Sequence, residues 1–147
     1  MNRNIILISG SLGLIGFEST LYFLKRRYRV IGIDNNFRQK ALGIKTNYDD
    51  KLKYLQNKFS TSYIHYPYNL CDNNKIDELF QKNTISSIIH TAGQTSHDWA
   101  TNNAVIDCKE NIIATLNLLE LARKYSPKAP FIYTSTNKVY GLSLIHI

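Results

Sequence analysis

A chain of 147 residues, with 44% hydrophobic and 20% charged side chains, has the size and composition of one globular domain. It has no apolar run near the ~18 residues of a membrane span and no signal-peptide cleavage site, so we expect a cytoplasmic protein with no membrane partner. Its only two cysteines are far apart in the sequence, so we expect no metal site. The net charge is +7, but the basic residues are spread along the chain apart from the cluster Lys25–Arg27, which we assign to a helix end rather than to a polyanion-binding patch, so no nucleic-acid partner is expected.

The predicted elements begin with a strand, a glycine-rich turn and a helix. The apolar run Ile5–Ile8 has the length of a buried strand, and Gly10, Gly13 and Gly16 follow it with the spacing G-x-x-G-x-x-G. A helix N-terminus offers free N–H groups and a positive dipole end to a pyrophosphate, and glycine lets the backbone approach that ligand closely. We therefore predict a dinucleotide-binding loop. A P-loop is not predicted, because no Lys-Ser or Lys-Thr pair follows these glycines.

The next two elements are a helix and a second strand that ends at an acidic residue. The apolar residues of the helix recur at three- and four-residue steps, at Leu14, Phe17, Leu21, Leu24 and Tyr28. Asp34 follows the strand Arg29–Ile33, about 20 residues past the glycine loop, where a carboxylate binds ribose hydroxyls and repels a 2′-phosphate. This favours NAD over NADP. Arg38 leaves NADP open because its cation could bind that phosphate, and a turn cap is the other interpretation of Asp34.

The rest of the chain continues to alternate between strands and helices. We predict, in order, a polar loop 35–46, a helix 48–59, a strand 62–66, a helix 73–82 capped by Asp72, a strand 85–90, a long helix from about 102 to 125 and a strand 130–135. The apolar residues in phase on the long helix are Val105, Cys108, Ile112, Leu116, Leu119 and Ala122. This alternation predicts an α/β fold, a Rossmann-type doubly wound parallel sheet with strand order 3-2-1-4-5.

Polar and small residues collect where the predicted strands end. Asp34, Asn69, the segment Thr91–Gln94 and the pair Ser135-Thr136 each follow a strand. In such a sheet the ligand crevice lies at the carboxyl ends of strands one and four, where the strand order reverses. We therefore expect these residues to surround one ligand.

These same segments carry a resemblance to a known family. GSLGLIG, DNNFR, HTAGQ and TSTNKVYG, in this order, resemble the N-terminal half of an extended short-chain dehydrogenase/reductase of the NAD-dependent nucleotide-sugar epimerase/dehydratase family. The longer strings HTAGQTSHDWA and FIYTSTNKVYG are similar to the CDP-paratose 2-epimerase subfamily. The resemblance implies an isomerase that binds NAD, oxidises a sugar hydroxyl transiently and reduces the keto intermediate on its opposite face.

The resemblance also implies a substrate and leaves other functions open. The expected substrate is a nucleotide sugar, with a CDP-sugar favoured, and the parent protein could be a homo-oligomer. The alternatives are a dehydratase or reductase of the same family, or a dinucleotide-binding protein without catalytic activity.

The site residues implied by the resemblance follow the path of the cofactor. They are Gly10, Gly13, Leu14, Ile15 and Gly16 at the pyrophosphate, Asp34, Asn35 and Arg38 at the ribose, Asn69 and Leu70 at the adenine, Thr91, Ala92, Gly93 and Gln94 along the cofactor, and Asn111 on the long helix. Thr136 matches the catalytic hydroxyl that hydrogen-bonds the reacting sugar oxygen. Two positions depart from the family, because Asn69 replaces an aspartate and Ala114 replaces a glycine near Asn111.

One catalytic element of the family is not found after Thr136. The family's Y-x-x-x-K motif does not follow it, and we interpret the Y-x-x-x-K at Tyr54–Lys58 as a coincidence because it lies in a peripheral helix. We therefore expect residues 1–141 to be an incomplete NAD-binding Rossmann domain, lacking the last strands and the substrate domain and inactive alone. Residues 142–147, LSLIHI, are what the end of a common transposon-based sequencing adapter encodes in one frame, and we expect a non-native tail.

Overall fold

A computed structural model of the chain describes residues 4–135, which contain one parallel sheet. Its strands are β1 (Ile5–Ser9), β2 (Arg29–Ile33), β3 (Tyr63–Tyr66), β4 (Ile85–His90) and β5 (Phe131–Tyr133). They pair in the order β3-β2-β1-β4-β5, and every pairing is parallel. The predicted fold class and strand order are confirmed.

Helices cover both faces of this sheet. They are α1 (Leu14–Lys25), α2 (Phe37–Leu42), α3 (Tyr48–Lys58), α4 (Asn73–Lys82), α5 (His97–Asn102), α6 (Ala104–Cys108) and α7 (Ala114–Tyr125), with a π-helical turn (Lys109–Ile113) between α6 and α7. Alternate residues of β1 face opposite layers: Leu7 packs in the core under α4 and α7, whereas Ile6 and Ile8 pack in the core under α1 and α3. No helix of residues 4–135 is long and apolar enough to cross a membrane.

The predicted loop 35–46 was wrong over six residues, because α2 lies within it. Asn36 has left-handed backbone angles (φ 55°), and the Asn35 side chain accepts a hydrogen bond from the Phe37 N–H at 3.0 Å, which starts the helix. Gly43, also left-handed at φ 66°, ends it. None of its residues is buried, so α2 lacks the apolar periodicity from which a helix is predicted.

The predicted long helix is helical from Ala104 to Tyr125, but its predicted buried face was wrong. α6, the π-helical turn and α7 follow one another without a break, and Asn103 separates them from α5. Of the six residues predicted in phase, only Ala122 is buried, while Val105 and Ile112 are 70% and 61% exposed. The buried residues of α7 are Ala114, Leu118, Leu121 and Ala122. The segment carries two apolar stripes, and the stripe that contains Leu118 and Leu121 packs in the core.

Candidate cofactor-binding site

The glycine loop between β1 and α1 lies against the end of β4. Gly10 has φ 67°, and its N–H donates to the Ile33 carbonyl at 2.8 Å, which ties the loop to β2. A Cβ at Gly10 would lie 2.8 Å from the backbone nitrogen of Ala92, and a Cβ at Gly16 would lie 2.0 Å from the carbonyl oxygen of Gly10. Both positions therefore need glycine, and the tight turn leaves the N-terminus of α1 directed at the space above the sheet.

Asp34 joins the glycine loop to the end of β2. One carboxylate oxygen accepts the N–H of Leu12 at 3.0 Å, and the other accepts the N–H of Asn36 at 2.9 Å. Each oxygen keeps a free lone pair, since a carboxylate has about four acceptor sites. The two interpretations of Asp34 are thus compatible: the side chain caps two turns and retains acceptors for further hydroxyl groups.

A cavity of about 540 Å³ opens where the carboxyl ends of β1, β2 and β4 meet. The predicted site residues that line it are Gly10, Gly13, Leu14, Ile15, Gly16, Asp34, Asn35, Arg38, Leu70, Thr91, Ala92, Gly93 and Gln94. Leu14, predicted on the packed face of α1, is instead 81% exposed at this cavity. Asn69 and Asn111 do not line it. The structure therefore gathers predicted residues from four separate chain segments around one space.

Asn111 shapes the end of β4 rather than the cavity wall. Its amide oxygen accepts the backbone N–H of Gln94 at 2.8 Å, and its amide nitrogen donates to the Gln94 carbonyl at 3.1 Å. The side-chain amides of Gln94 and Asn111 also donate to the same carboxylate oxygen of Asp107, at 2.8 and 3.1 Å respectively. The π-helical turn thereby fixes the backbone of residue 94 through a side chain, as a strand partner would.

Asn69, in the place of the family's aspartate, forms hydrogen bonds to other residues of the chain through both polar atoms of its side chain. Its amide oxygen accepts the N–H of Cys71 at 2.7 Å, and its amide nitrogen donates to a carboxylate oxygen of Glu110 at 2.9 Å. Glu110 lines the cavity, together with Leu70 and Tyr68. Glu110 was not predicted as a site residue, because no motif marks a single acid within an amphipathic helical pattern.

Lys51 of α3 is a second cavity residue that the sequence analysis missed. Its ammonium group donates to the carbonyl oxygens of Leu12 and Gly13, at 3.0 and 3.4 Å, and lies 4.8 Å from the centroid of the Phe17 ring. These contacts hold the outer side of the glycine loop. They join residues 38 and 39 positions apart, a separation at which no sequence spacing predicts contact.

A buried histidine of β4 connects β1 to α7. The Thr115 hydroxyl donates to the Asn111 carbonyl at 2.5 Å, so it accepts the proton of His90 Nε2 at 2.9 Å. His90 Nδ1 then accepts from the Ser9 hydroxyl at 2.5 Å. Burial lowers the pKa of His90 to about 4, and the ring is therefore neutral at pH 7.

This buried histidine predicts a loss of stability in acid. The unfolded chain takes up the His90 proton near pH 6.5 and the folded chain only near pH 4, so the free energy of unfolding should fall as the pH decreases through that interval. The expected contribution between pH 7 and pH 5 is about 2 kcal/mol. Urea denaturation at the two pH values measures it. His90→Asn should remove this part of the pH dependence, and His97→Asn, at an exposed histidine, should leave it unchanged.

The predicted catalytic residue lies outside the described residues, and the Y-x-x-x-K motif interpreted as a coincidence lies outside this cavity. Thr136 falls beyond residues 4–135. The Lys58 ammonium donates to the Tyr54 hydroxyl at 2.9 Å on an exposed part of α3, and neither residue lines the cavity. Within residues 4–135, no group of three or more His, Cys, Asp or Glu residues could hold a metal ion.

The sequence profile of the GDP-mannose 4,6 dehydratase family matches residues 7–145. The chain belongs to this family. It is an NAD-dependent family of epimerases and dehydratases, so the predicted family is confirmed, and the predicted cofactor is confirmed for the family.

Individual relatives agree with this assignment. The chain is 32% identical over 136 residues to the CDP-paratose 2-epimerase of Salmonella typhi, covering 92% of this chain and 38% of that protein. The solved UDP-Glc/GlcNAc 4-epimerase of Campylobacter jejuni superposes with a TM-score of 0.78 at 25% identity, over 94% of this chain and 39% of that one. The UDP-glucose 4-epimerase of Bifidobacterium longum, solved in complex with NAD+ and UDP, has the same fold, with a TM-score of 0.78 at 23% identity, over 94% of this chain and 38% of that one. The chain thus spans about two fifths of the length of these relatives.

Proposed function

We propose that residues 1–141 form the NAD-binding part of a nucleotide-sugar epimerase. The observation that carries this proposal is the cavity that joins the glycine loop, the Asp34 carboxylate and the end of β4 in one space. The pyrophosphate lies over Gly10–Gly16 at the N-terminus of α1, where the helix dipole and free N–H groups favour an anion. Asp34 accepts hydrogen bonds from the ribose hydroxyls through the lone pairs that Leu12 and Asn36 leave free.

The remaining cavity residues have distinct parts in this proposal. Thr91–Gln94 provide a flat backbone surface along the cofactor, held in place by Asn111. Asn35 and Arg38 lie beside the adenosine ribose, and Leu70 lies against the base. Bound NAD supplies a reversible hydride acceptor for a sugar carbon. Thr136 is the proposed catalytic residue of this chain, where its hydroxyl hydrogen-bonds the reacting sugar oxygen.

The substrate is proposed at two levels. Nucleotide sugars are the substrates named for the relatives, and the similarity to the Salmonella typhi enzyme supports a CDP-sugar and a CDP-paratose 2-epimerase activity. A nucleotide-sugar dehydratase is the second candidate, supported by the family to which the chain belongs. We further propose that the 147-residue chain alone has no epimerase activity, since it lacks a Y-x-x-x-K motif after Thr136.

Binding of NAD to the purified chain tests this proposal. Trp99 is the sole tryptophan, and its ring lies 5.7 Å from that of Phe37, which lines the cavity, so tryptophan fluorescence reports occupancy. We expect saturable binding of NAD, with NADP at least about tenfold weaker because Asp34 repels a 2′-phosphate. No saturation by NAD would contradict the proposed function, and tighter binding of NADP would assign the ribose site to Arg38 instead. Incubation with CDP-paratose and NAD should give no 2-epimer by NMR.

A further inference from the structure

We propose that Glu110 recognises the exocyclic amino group of adenine and so selects an adenine dinucleotide. This inference rests on the proposed NAD-binding function and adds a base-reading residue to it. In the family pattern the acid at this end of the cofactor follows β3, where this chain has Asn69. The structure places a carboxylate from a different element, the π-helical turn, at the same end of the cavity.

The position of Glu110 fits the base rather than the phosphates. Asp34 marks the proposed ribose site, and the same cavity is lined by the apolar surfaces of Leu70 and Tyr68 and by Glu110, which bonds the intervening Asn69. A flat heteroaromatic base packs against such surfaces and directs its polar edge outward. Among residues 4–135, Asp34 and Glu110 are the two carboxylates that line the cavity. Glu110 is therefore the acidic group available to the edge of the base.

The hydrogen bonds of Glu110 leave it ready to accept from a ligand. One carboxylate oxygen accepts from the Asn69 amide at 2.9 Å, which orients the group. Within the described part of the chain, no salt bridge and no second hydrogen bond to this half-buried carboxylate is found. A carboxylate only accepts hydrogen bonds, and each oxygen can accept two. A donor from the ligand would satisfy the open oxygen.

At position 6 of the purine, adenine supplies that donor and hypoxanthine does not. The 6-amino group of adenine has two N–H bonds, whereas hypoxanthine has a carbonyl oxygen at the same position, which a carboxylate repels. The role of Asn69 follows from the same geometry. Its amide donates to Glu110, as a neutral side chain can, and an aspartate at position 69 would instead oppose Glu110 with a like charge. Asn69 is thus a positioning residue for Glu110.

The test compares NAD with nicotinamide hypoxanthine dinucleotide, which has a carbonyl oxygen in place of the 6-amino group and a proton on N1. We expect the wild-type chain to bind NAD about 10- to 100-fold more tightly, the range for a hydrogen bond to a charged group. Glu110→Gln should reduce the ratio of the two dissociation constants to within about threefold, because an amide both donates and accepts. Glu78→Gln removes an exposed charge on α4 and should leave the ratio unchanged.

The ratio separates base recognition from a general disturbance of the site. A structural effect of Glu110→Gln would weaken both dinucleotides equally and leave the ratio at its wild-type value, which would overturn the inference. A wild-type ratio near one would overturn it as well. If the wild-type chain bound neither dinucleotide, the proposed NAD-binding function would fail instead.

Discussion

Replacing Gly16 with alanine should destabilise the chain by about 2–3 kcal/mol and abolish binding of NAD. The new Cβ would lie 2.0 Å from the Gly10 carbonyl oxygen and 2.7 Å from both the Gly10 carbonyl carbon and the Thr91 hydroxyl oxygen. Two of these atoms belong to the backbone of the glycine loop, so no change of side-chain rotamer can relieve the contact. The first turn of α1 must move away from the loop, and the N–H groups proposed to bind the pyrophosphate move with it.

Gly43→Ala is the matched control for this substitution. Gly43, unlike Gly16, has a left-handed backbone, at φ 66°, but a Cβ there would meet no atom within 4 Å. Its replacement should cost about 1–2 kcal/mol from backbone strain and leave the affinity for NAD unchanged. Urea denaturation and titration with NAD measure the two quantities for each variant. Wild-type stability and affinity in Gly16→Ala would contradict the close approach of α1 to the loop.

Replacing Asp34 with asparagine should weaken binding of NAD about 100-fold and reduce the preference over NADP. The native carboxylate accepts one backbone N–H on each oxygen, from Leu12 and Asn36. An asparagine amide has a single acceptor oxygen, so its NH2 group would face one of those backbone N–H donors. Because two donors cannot bond each other, either the side chain or the glycine loop would have to move. The ribose would also lose its charged acceptor, whereas a 2′-phosphate would no longer meet a negative charge.

Asp50→Asn controls for the change of net charge, because Asp50 is an exposed residue of α3 outside the cavity. It should leave both affinities at their wild-type values. Titrations of both variants and the wild type with NAD and NADP, read by Trp99 fluorescence, give each variant's two affinities relative to the wild type. An unchanged preference in Asp34→Asn would transfer the discrimination between the cofactors from Asp34 to another group, with Arg38 the nearest candidate.

Much of the fold and of the cavity was predictable because the determining signals are local. The run Ile5–Ile8 is typical of a buried strand, the three glycines come directly after that strand, and Asp34 follows the next one. Parallel strands joined by right-handed crossovers bring their carboxyl ends to one edge, so residues after different strands meet without any knowledge of their contacts. The α2 helix was missed because it buries none of its residues.

The long segment after β4 shows where local signals end. Its sequence has two apolar stripes at helical spacing, one containing Ile112 and Leu116 and the other containing Leu118 and Leu121. Periodicity identifies the helix but not which stripe meets the sheet, since both satisfy the same spacing. Packing in the core decides between them in favour of Leu118 and Leu121, and the π-helical turn brings Glu110 to the cavity and Asn111 to Gln94.

The sequence by itself determined the order of strands and helices, the glycine loop and the acid that follows β2, because each depends on neighbouring residues and on the handedness of the chain. Only the tertiary structure decided how those parts are held. Lys51 supports the loop from 38 or more residues away, His90 joins β1 to α7, and Asn69 directs its amide to Glu110. These contacts join distant segments and are fixed by the packing of helices on the sheet, so they cannot be predicted from the spacing of residues in the sequence.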